Sequence, residues 1–369
     1  MKESNNVSDR KEYLDYLRLF AAFAVVLLHV AAQNLGAFYF DKNIWEVFNI
    51  YDSMGHCGPP LFVMISGALF LGRDIDIKKI YSKYIFRILI AFCVWNFIYY
   101  LSAPGGPVAQ IAALFGDEKP ARFADLIKGH YHLWFLPMII GVYMCIPILK
   151  LIADNEKIGK YFIIIGVIFT CVIPTLYNIV ADFGSPSLNS VVNAIRWNHD
   201  QGLFFMPLGY SFYFVLGYYI SNKEISKPIR YLCYAISVLG YVMEVLLERF
   251  AVLKSGDILV TYYESLSLQV FMQTLGIFIF FRYLPLRGRK INGFISKAAK
   301  VTFGSYLVHV LLMEQLNARL GINTLTLISP ASPVSVAITT PVIAILIFAA
   351  SLLISAILSH IPVVNKYLV

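Results

Sequence analysis

Apolar residues occur along the chain in long runs that short polar segments separate. Most runs approach the length of about 20 residues that a helix needs to cross a bilayer core about 30 Å thick. The pattern predicts about ten transmembrane helices, with no comparable water-soluble block between them. Their approximate bounds are Leu14 to Leu35, Pro59 to Gly72, Tyr84 to Ser102, His132 to Ile152, Tyr161 to Ala181, Gly202 to Ser221, Tyr231 to Phe250, Leu266 to Leu284, Thr302 to Leu320 and Val334 to Ile361.

Composition supports the same fold class. Of the 369 residues, 59% are hydrophobic and only 14% are charged, whereas ordinary soluble domains are about 25% charged. Such a chain has too few polar residues to cover the surface of a water-soluble globule. We therefore predict an all-α, polytopic membrane helix bundle that forms one domain over residues 1–369.

Positive charge is distributed unevenly between the predicted loops. An even number of spans places both termini on one side, and that side carries 20 of the 30 Lys and Arg residues. The opposite side carries 8, and Arg18 and Arg282 lie near the inner boundary. The positive-inside rule therefore predicts cytoplasmic termini in a multi-pass protein of the bacterial inner membrane. Membrane insertion also accounts for the net charge of +8, so this charge does not indicate nucleic-acid binding.

The first predicted helix contains three titratable or charged residues, Asp15, Arg18 and His29. Eleven residues at about 100° each bring Arg18 and His29 to one helix face, about 16 Å apart along the axis. Asp15 precedes Arg18 by three residues, a spacing that permits an ion pair. Such groups usually face the bundle interior or a water-filled cavity, because lipid exposure is costly. Spacing alone also fits a snorkelling Arg18 and a histidine that only packs between helices.

Four further motifs follow in a characteristic order. They are the segment Gly58 to Gly67 (GPPLFVMISG), the basic segment from Lys79 to Trp95, the block His132 to Leu136 (HLWFL) and the block Thr302 to His309 (TFGSYLVH). Together with the Arg-x10-His element of Arg18 and His29, they resemble the acyltransferase-3 family of integral membrane acyltransferases over essentially the whole chain. The chain resembles the single-module branch that includes the enterobacterial common antigen O-acetyltransferase.

The resemblance implies a membrane O-acyltransferase that uses acyl-CoA as donor, with acetyl-CoA as the cosubstrate in this branch and no metal. The implied acceptor is a hydroxyl of a cell-surface glycan or its lipid-linked precursor. Many family members carry an Arg-x-x-Arg pair where this chain has Tyr84 and Arg87. Because the phosphates of the donor require cations, we expect Arg18, Lys83 and Arg87 to bind it. Lys83 and Lys79 are the two residues that could supply the missing positive charge.

Catalytic candidates follow from the chemistry of acyl transfer, which requires a general base or a covalent acyl-enzyme. His29 is the preferred general base, and a covalent acyl-histidine remains open. Ser66 and Tyr306 are alternative carriers of the acyl group. Asp15 is included through its pairing with Arg18. His309 follows Tyr306 by three residues, which fits a polar pair in the cavity or a structural hydrogen bond equally well.

Two other functional classes remain open. A transporter or permease for a small polar solute such as serine is one, although no paired broken helices are visible in two halves of the chain. A non-catalytic assembly partner is the other. Glu244, inside the seventh predicted span, is a further candidate whose partner the sequence does not name. A metal site at His130 and His132 is not expected, because both residues lie at a predicted membrane interface.

Overall fold

A computed structural model of the protein describes residues 12–74, 76–116, 119–202, 208–285 and 289–369, and every regular element in these ranges is helical. The first ten helices are α1 Tyr13–Ala32, α2 Lys42–Gly55, α3 Gly58–Phe70, α4 Ile77–Lys79, α5 Phe86–Ser102, α6 Gly106–Ala113, α7 Lys119–Lys128, α8 Phe135–Met144, α9 Ile146–Asp154 and α10 Glu156–Val167. The following helices are α11 Ile173–Phe183, α12 Pro186–Gln201, α13 Gly209–Asn222, α14 Lys227–Ser255, α15 Leu268–Arg282, α16 Arg289–Lys300, α17 Thr302–Leu320, α18 Pro333–Leu358 and α19 Pro362–Tyr367. The all-α fold class is confirmed.

Shorter helical segments connect some of these helices. They are 3-10 turns at Leu35–Tyr39, Tyr131–Trp134 and Thr261–Tyr263, and π-helical turns at Ile80–Ile85 and Ile168–Val172. Residues 203–207, which belong to the sixth predicted span, lie outside the described residues.

Within the described ranges, five segments are long and apolar enough to cross a membrane. They are Tyr13–Tyr39, Ile77–Ser102, Glu156–Phe183, Thr261–Arg282 and Pro333–Leu358. The pair Tyr131–Met144 and Ile146–Asp154, bent by 57°, would make a sixth. Pro147 explains this bend, because proline cannot donate the backbone hydrogen bond of a continuous helix. Fewer segments than the ten predicted spans thus meet both conditions. Helices α3 and α13 are short, with 13 and 14 residues, whereas α14 and α17 have 29 and 19 residues but are not apolar enough.

The second predicted span corresponds to α3, which a short break at residues 56–57 separates from α2. Helix α2 runs beside the half of α1 that carries His29, with Gly55 packed against Leu28. The chain then turns at His56, and α3 begins with two prolines in its first turn. The sequence pattern did not reveal α2, because Asn49 and Asp52 interrupt its apolar face. Both residues are nevertheless buried.

Helix α1 occupies the centre of the bundle. It packs against α2, α3, α15, α16, α17 and α18. At one end, Leu17 and Ala21 are buried in a cluster with residues of α3, α13 and α15. Towards the other end, Val26 and Val30 belong to a cluster with residues of α5, α17 and α18. The Arg18 and His29 positions of α1 are therefore enclosed by helices from distant parts of the chain.

Helices α3 and α13 cross at two glycines, so that their backbones touch. A β-carbon at Gly67 would collide with the backbone of Phe214, and one at Gly217 would collide with the backbone of Met64. Small residues permit such close crossings in membranes, where packing and not water exclusion drives helix association. Gly67 of the Ile-Ser-Gly motif thus has a packing role.

We predict that Gly67→Val destabilises the fold, because backbone atoms cannot move aside as a flexible side chain can. Overpacking typically costs about 1 to 3 kcal/mol, and a collision with backbone belongs at the upper end of that range. The measurement is the thermal unfolding midpoint of the purified protein in detergent. Gly141→Val on α8 is the matched control, because nothing lies within 4 Å of a β-carbon placed there. Equal midpoints for the two variants would contradict the close crossing.

Candidate active site

One cavity of about 740 Å³ runs beside α1 and includes both Arg18 and His29 in its lining. Its volume lies within the range of about 300 to 1,000 Å³ that small-molecule sites occupy. The two side chains are on the same face of α1, as their spacing of eleven residues predicts. The cavity therefore has an Arg18 end and a His29 end, separated by about three helical turns.

Cationic side chains line the Arg18 end. Arg18, Arg87 and Lys300 come from α1, α5 and α16. Arg18 Nη1 lies 3.6 Å from Asp15 Oδ1, the pairing that the sequence permits. Arg87 donates a hydrogen bond to the backbone carbonyl of Val369, which fixes the direction of its guanidinium. Three cations from three helices thus converge at one end of an otherwise largely apolar cavity.

Ser66 also lies in this cavity, on the wall that α3 forms. Its hydroxyl is 3.3 Å from the hydroxyl of Tyr143, another lining residue. Between Ser66 and His29 the walls are mainly apolar, with Phe62 and Phe135 in edge-to-face contact at 6.1 Å between ring centroids. A chain of small apolar groups is therefore compatible with the middle of the cavity.

Four histidines gather around the His29 end, and we refer to His29, His130, His132 and His309 as the imidazole cluster. His29 and His309 are nearly parallel, with ring centroids 5.2 Å apart. His132 is perpendicular to His29 at 6.1 Å and to His309 at 5.6 Å. Tyr306, which lines the cavity, donates a hydrogen bond from its hydroxyl to the His132 carbonyl at 2.5 Å. Residues of α1, α17 and the turn before α8 thus meet in three dimensions.

Beyond His29, the cavity reaches the helix break between α2 and α3. His56 stacks on Tyr263 at 4.6 Å between ring centroids, and its Nε2 lies 3.4 Å from Asp52 Oδ2. The Tyr263 hydroxyl donates to Asn49 at 2.6 Å. Asp52, His56 and Tyr263 all line the cavity. This end is therefore polar, whereas the middle is apolar.

The structure separates the sequence-predicted residues into two groups. Arg18, His29, Ser66, Arg87 and Tyr306 line the cavity. The other three predicted residues, Asp15, Lys83 and His309, do not line it. Asp15 and His309 are nevertheless in contact with lining residues, because Asp15 pairs with Arg18 and the His309 ring stacks on that of His29.

Lys83 does not line the cavity, so its expected role in donor binding stays a prediction. Its side chain is exposed, and its ammonium lies 5.7 Å from the centre of the Tyr84 ring. Tyr84 itself faces the cavity. The third cation of the Arg18 end is instead Lys300, which the sequence shows only as one of several basic residues before α17.

Sequence reasoning missed three residues of the His29 end, namely Asp52, His56 and His132. His132 belongs to the HLWFL motif, and its pairing with His130 was visible but was considered only as a metal site. Within the described part of the chain, no group of three or more His, Cys, Asp or Glu side chains is arranged to hold a metal ion. Asp52 and His56 could have been found in the sequence as a polar pair four residues apart, just before the double proline Pro59-Pro60.

Glu244 lies behind the cavity wall rather than in it. The side chain is fully buried on α14, and its Oε2 accepts from Gln273 Nε2 at 3.4 Å. Gln273 also donates to the Ser53 carbonyl of α2 at 3.2 Å. The structure thus supplies the partner that the sequence did not name, and it connects α14 and α15 to the helix that carries Asp52.

The sequence matches the family model Acyl_transf_3, described as an acyltransferase domain, over residues 11–360. The chain belongs to the acyltransferase-3 family. Comparison with curated proteins and with solved structures gave no match. The family match includes every helix that lines the cavity, together with Arg18 and His29.

Membership in the acyltransferase-3 family supports a membrane acyltransferase, in agreement with the all-α bundle of long apolar helices. The transporter alternative is not favoured by this match. The cavity on α1 is accordingly the candidate active site of an acyltransferase, with His29 at the junction between its apolar middle and its polar end.

Proposed function

We propose that the protein transfers an acetyl group from cytoplasmic acetyl-CoA to a hydroxyl of a cell-surface glycan or of its lipid-linked precursor. The observation that carries the proposal is the single cavity that joins three cations at the Arg18 end to the imidazole cluster and the Asp52–His56 pair at the other end. The reaction then takes place at His29, where the two ends meet.

The Arg18 end suits the donor. CoA carries several phosphate charges, and guanidinium groups form strong, directional hydrogen bonds with phosphate oxygens. Arg18 and Arg87 offer two such groups, and Lys300 adds a third positive charge. The excess of basic residues in the loops on this side supports a cytoplasmic orientation, where acetyl-CoA is available, in the bacterial inner membrane.

The His29 end suits a hydroxylated acceptor. Trp134 and Tyr210 line the cavity with rings 6.0 Å apart, and Glu264 and Ser265 are also in its lining. Aromatic faces beside carboxylate and hydroxyl groups provide both apolar contact and hydrogen bonds. A sugar, which has apolar C–H faces and many hydroxyls, is complementary to such a surface.

Direct transfer with His29 as general base accounts for the chemistry with the fewest steps. His29 accepts the proton of the acceptor hydroxyl as the new C–O bond forms, and the C–S bond of the thioester breaks. The CoA thiolate leaves with the electron pair and receives the proton back from His29. Ser66 and Tyr306 are less suited to carry the acyl group, because their hydroxyls already contact Tyr143 and the His132 carbonyl.

The proposed orientation predicts the accessibility of two positions to a membrane-impermeant thiol reagent. Gly116→Cys, beyond α6, should react in intact spheroplasts, because it follows a span that leads away from the cytoplasm. Lys78→Cys, in the basic segment before α5, should react only after permeabilisation. Labelling by mass shift against the unsubstituted protein provides the measurement. The reverse result would exchange the donor and acceptor ends.

We expect His29→Ala to bind acetyl-CoA normally but to turn over roughly 100-fold to 10,000-fold more slowly, the usual range for losing a positioned general base. Donor binding is measured by calorimetry and turnover by CoA release, so that the two effects are separated. Loss of binding in a normally folded His29→Ala protein would make His29 part of the donor path instead. Near-normal turnover would remove it from catalysis.

Substitution of Arg18 or Arg87 by Ala should raise the KM for acetyl-CoA with little change in kcat, because phosphate contacts persist from ground state to transition state. Hydrogen bonds to charged groups are worth about 1.5 to 3 kcal/mol, which corresponds to roughly a 10-fold to 100-fold change in KM. Arg18→Lys tests whether charge suffices or whether the planar guanidinium is needed. Lys78→Ala, at an exposed position of α4, is the control. A fall in kcat at constant KM would instead place these arginines beside the reacting carbonyl.

A further inference from the structure

A line of polar contacts runs from the cavity wall to a partly exposed carboxylate. His132 lines the cavity and is buried, with 1% of its surface exposed. Its Nδ1 lies 2.9 Å from His130 Nδ1. His130 Nε2 in turn lies 3.2 Å from Glu314 Oε1 on α17. The carboxylate side chain is 33% exposed, so the line connects the interior to the surface of the bundle.

With a neutral His130, these contacts assign the hydrogens of the ring nitrogens. A carboxylate only accepts hydrogen, so the His130 nitrogen that lies 3.2 Å from Glu314 Oε1, Nε2, is the one that carries the hydrogen. The Nδ1 of neutral His130 is then an acceptor, and His132 must donate to it from its own Nδ1. The remaining nitrogen of His132, Nε2, is left with a lone pair. It is buried and has no hydrogen-bond partner among the residues that the structure describes.

The His132 ring lies beside the proposed general base. Its centroid is 6.1 Å from that of His29, and the two rings are perpendicular. An in-line hydrogen bond between two imidazoles places their centroids about 5 Å apart, since the nitrogens remain about 3 Å apart. Catalytic hydrogen bonds are often long in substrate-free enzymes and shorten in the substrate complex. The centroid separation of His29 and His132 is about 1 Å longer than that of such a hydrogen bond.

We propose that Glu314 and His130 are positioning residues that hold His132 as the hydrogen-bond acceptor of His29, in a chain Glu314–His130–His132–His29. The inference rests on the proposed function, because it assigns partners to the general base of that reaction. Each imidazole in the chain donates its N–H towards Glu314. The free lone pair of His29 therefore faces the cavity, where the acceptor hydroxyl arrives.

The chain has a direct consequence for the transferred proton. When His29 takes the hydroxyl proton on its cavity-facing nitrogen, it becomes a cation, and its other N–H continues to donate to His132 Nε2. The carboxylate at the far end of the chain stabilises the resulting positive charge, as the acidic member does in a catalytic triad. The proton returns from His29 to the CoA thiolate as the C–S bond breaks. No additional proton donor or acceptor is required.

Other groups around His132 do not offer the same connection. His309 donates from Nδ1 to the Tyr306 carbonyl at 2.6 Å, so its hydrogen bond ends at a backbone atom and not at a carboxylate. The rings of Tyr99 and Tyr131 both make edge-to-face contacts with the His132 ring. A purely structural reading is that the His130–His132 contact only holds the turn before α8 in place.

Two substitutions at His132 separate these roles. His132→Asn retains a donor near Nδ1 and hence the contact with His130, but it has no acceptor at the Nε2 position. His132→Gln places an amide oxygen near Nε2 but loses the donor to His130. We expect kcat to fall about 10-fold to 100-fold in His132→Asn, the usual effect of losing a partner behind a functional group. His132→Gln should recover part of this loss, and the KM for acetyl-CoA should be unchanged in both variants.

The carboxylate is tested in the same assay, which measures CoA release from acetyl-CoA with glycerol as the acceptor. Glu314→Gln removes the charge but keeps an oxygen that accepts from His130, so we expect kcat to fall about 10-fold and to fall further in Glu314→Ala. Glu46→Gln is the matched control. Its side chain is 35% exposed and paired with Arg249 at 2.7 Å, away from the cavity lining. This variant should retain the wild-type kcat.

The outcomes distinguish the inference from the function on which it rests. An active wild-type protein, an inactive His29→Ala variant and an unimpaired His132→Asn variant would overturn the chain but leave the function intact. A His132→Gln variant less active than His132→Asn would favour the structural reading and also overturn the chain. Wild-type protein that releases no CoA would overturn both proposals. Size-exclusion profiles and acetyl-CoA binding confirm that each variant is folded.

Discussion

Hydrocarbon cannot solvate the charged and imidazole groups of α1, and the architecture of the bundle follows from this constraint. A charged residue at the centre of a membrane helix costs about 2.5 to 3.5 kcal/mol on insertion scales. Arg18 and His29 avoid this cost because six helices surround α1 and leave a protein-lined cavity beside the face that carries both residues. Of the five apolar segments found in the described ranges, the one that carries Arg18 and His29 is the most enclosed, with 61% of its membrane window buried.

The parts of the site that the sequence revealed are those within a single helix or motif. Arg18 and His29 share a face because of helical periodicity, and the Arg18–Asp15 contact follows from a spacing of three residues. The imidazole cluster, in contrast, combines α1, the turn at Tyr131–Trp134 and α17, which are more than 100 residues apart in the chain. No local pattern specifies that these segments meet. The position of Lys300 in the cavity lining has the same origin, because α16 approaches α1 only through tertiary packing.

The fold class and the helix bounds depend on different properties of the sequence. Composition and the length of the apolar runs are global properties, and they sufficed for an all-α membrane bundle. The bounds depend on where prolines and polar residues interrupt helices. Pro147 bends one predicted span, and the buried polar residues Asn49 and Asp52 concealed α2. Polar residues in a membrane helix lower its apparent hydropathy even when they face the protein interior, so a hydropathy window misses helices of this kind.

The edge-to-face contact of Phe62 and Phe135 has a consequence for the permeability of the membrane. Phe62 precedes Ser66 along α3 and Phe135 follows His132, so the two rings lie between the cationic and the imidazole-rich ends of the cavity. A passage for an acyl group is also a potential leak for protons and salt, and an elementary charge gains about 2.3 kcal/mol for each 100 mV across the membrane. Apolar aromatic rings oppose hydrated ions because the ions would lose their water, whereas the neutral acyl group of the proposed reaction has little hydration to lose. The same two rings can therefore admit the substrate and preserve the electrical insulation of the bilayer.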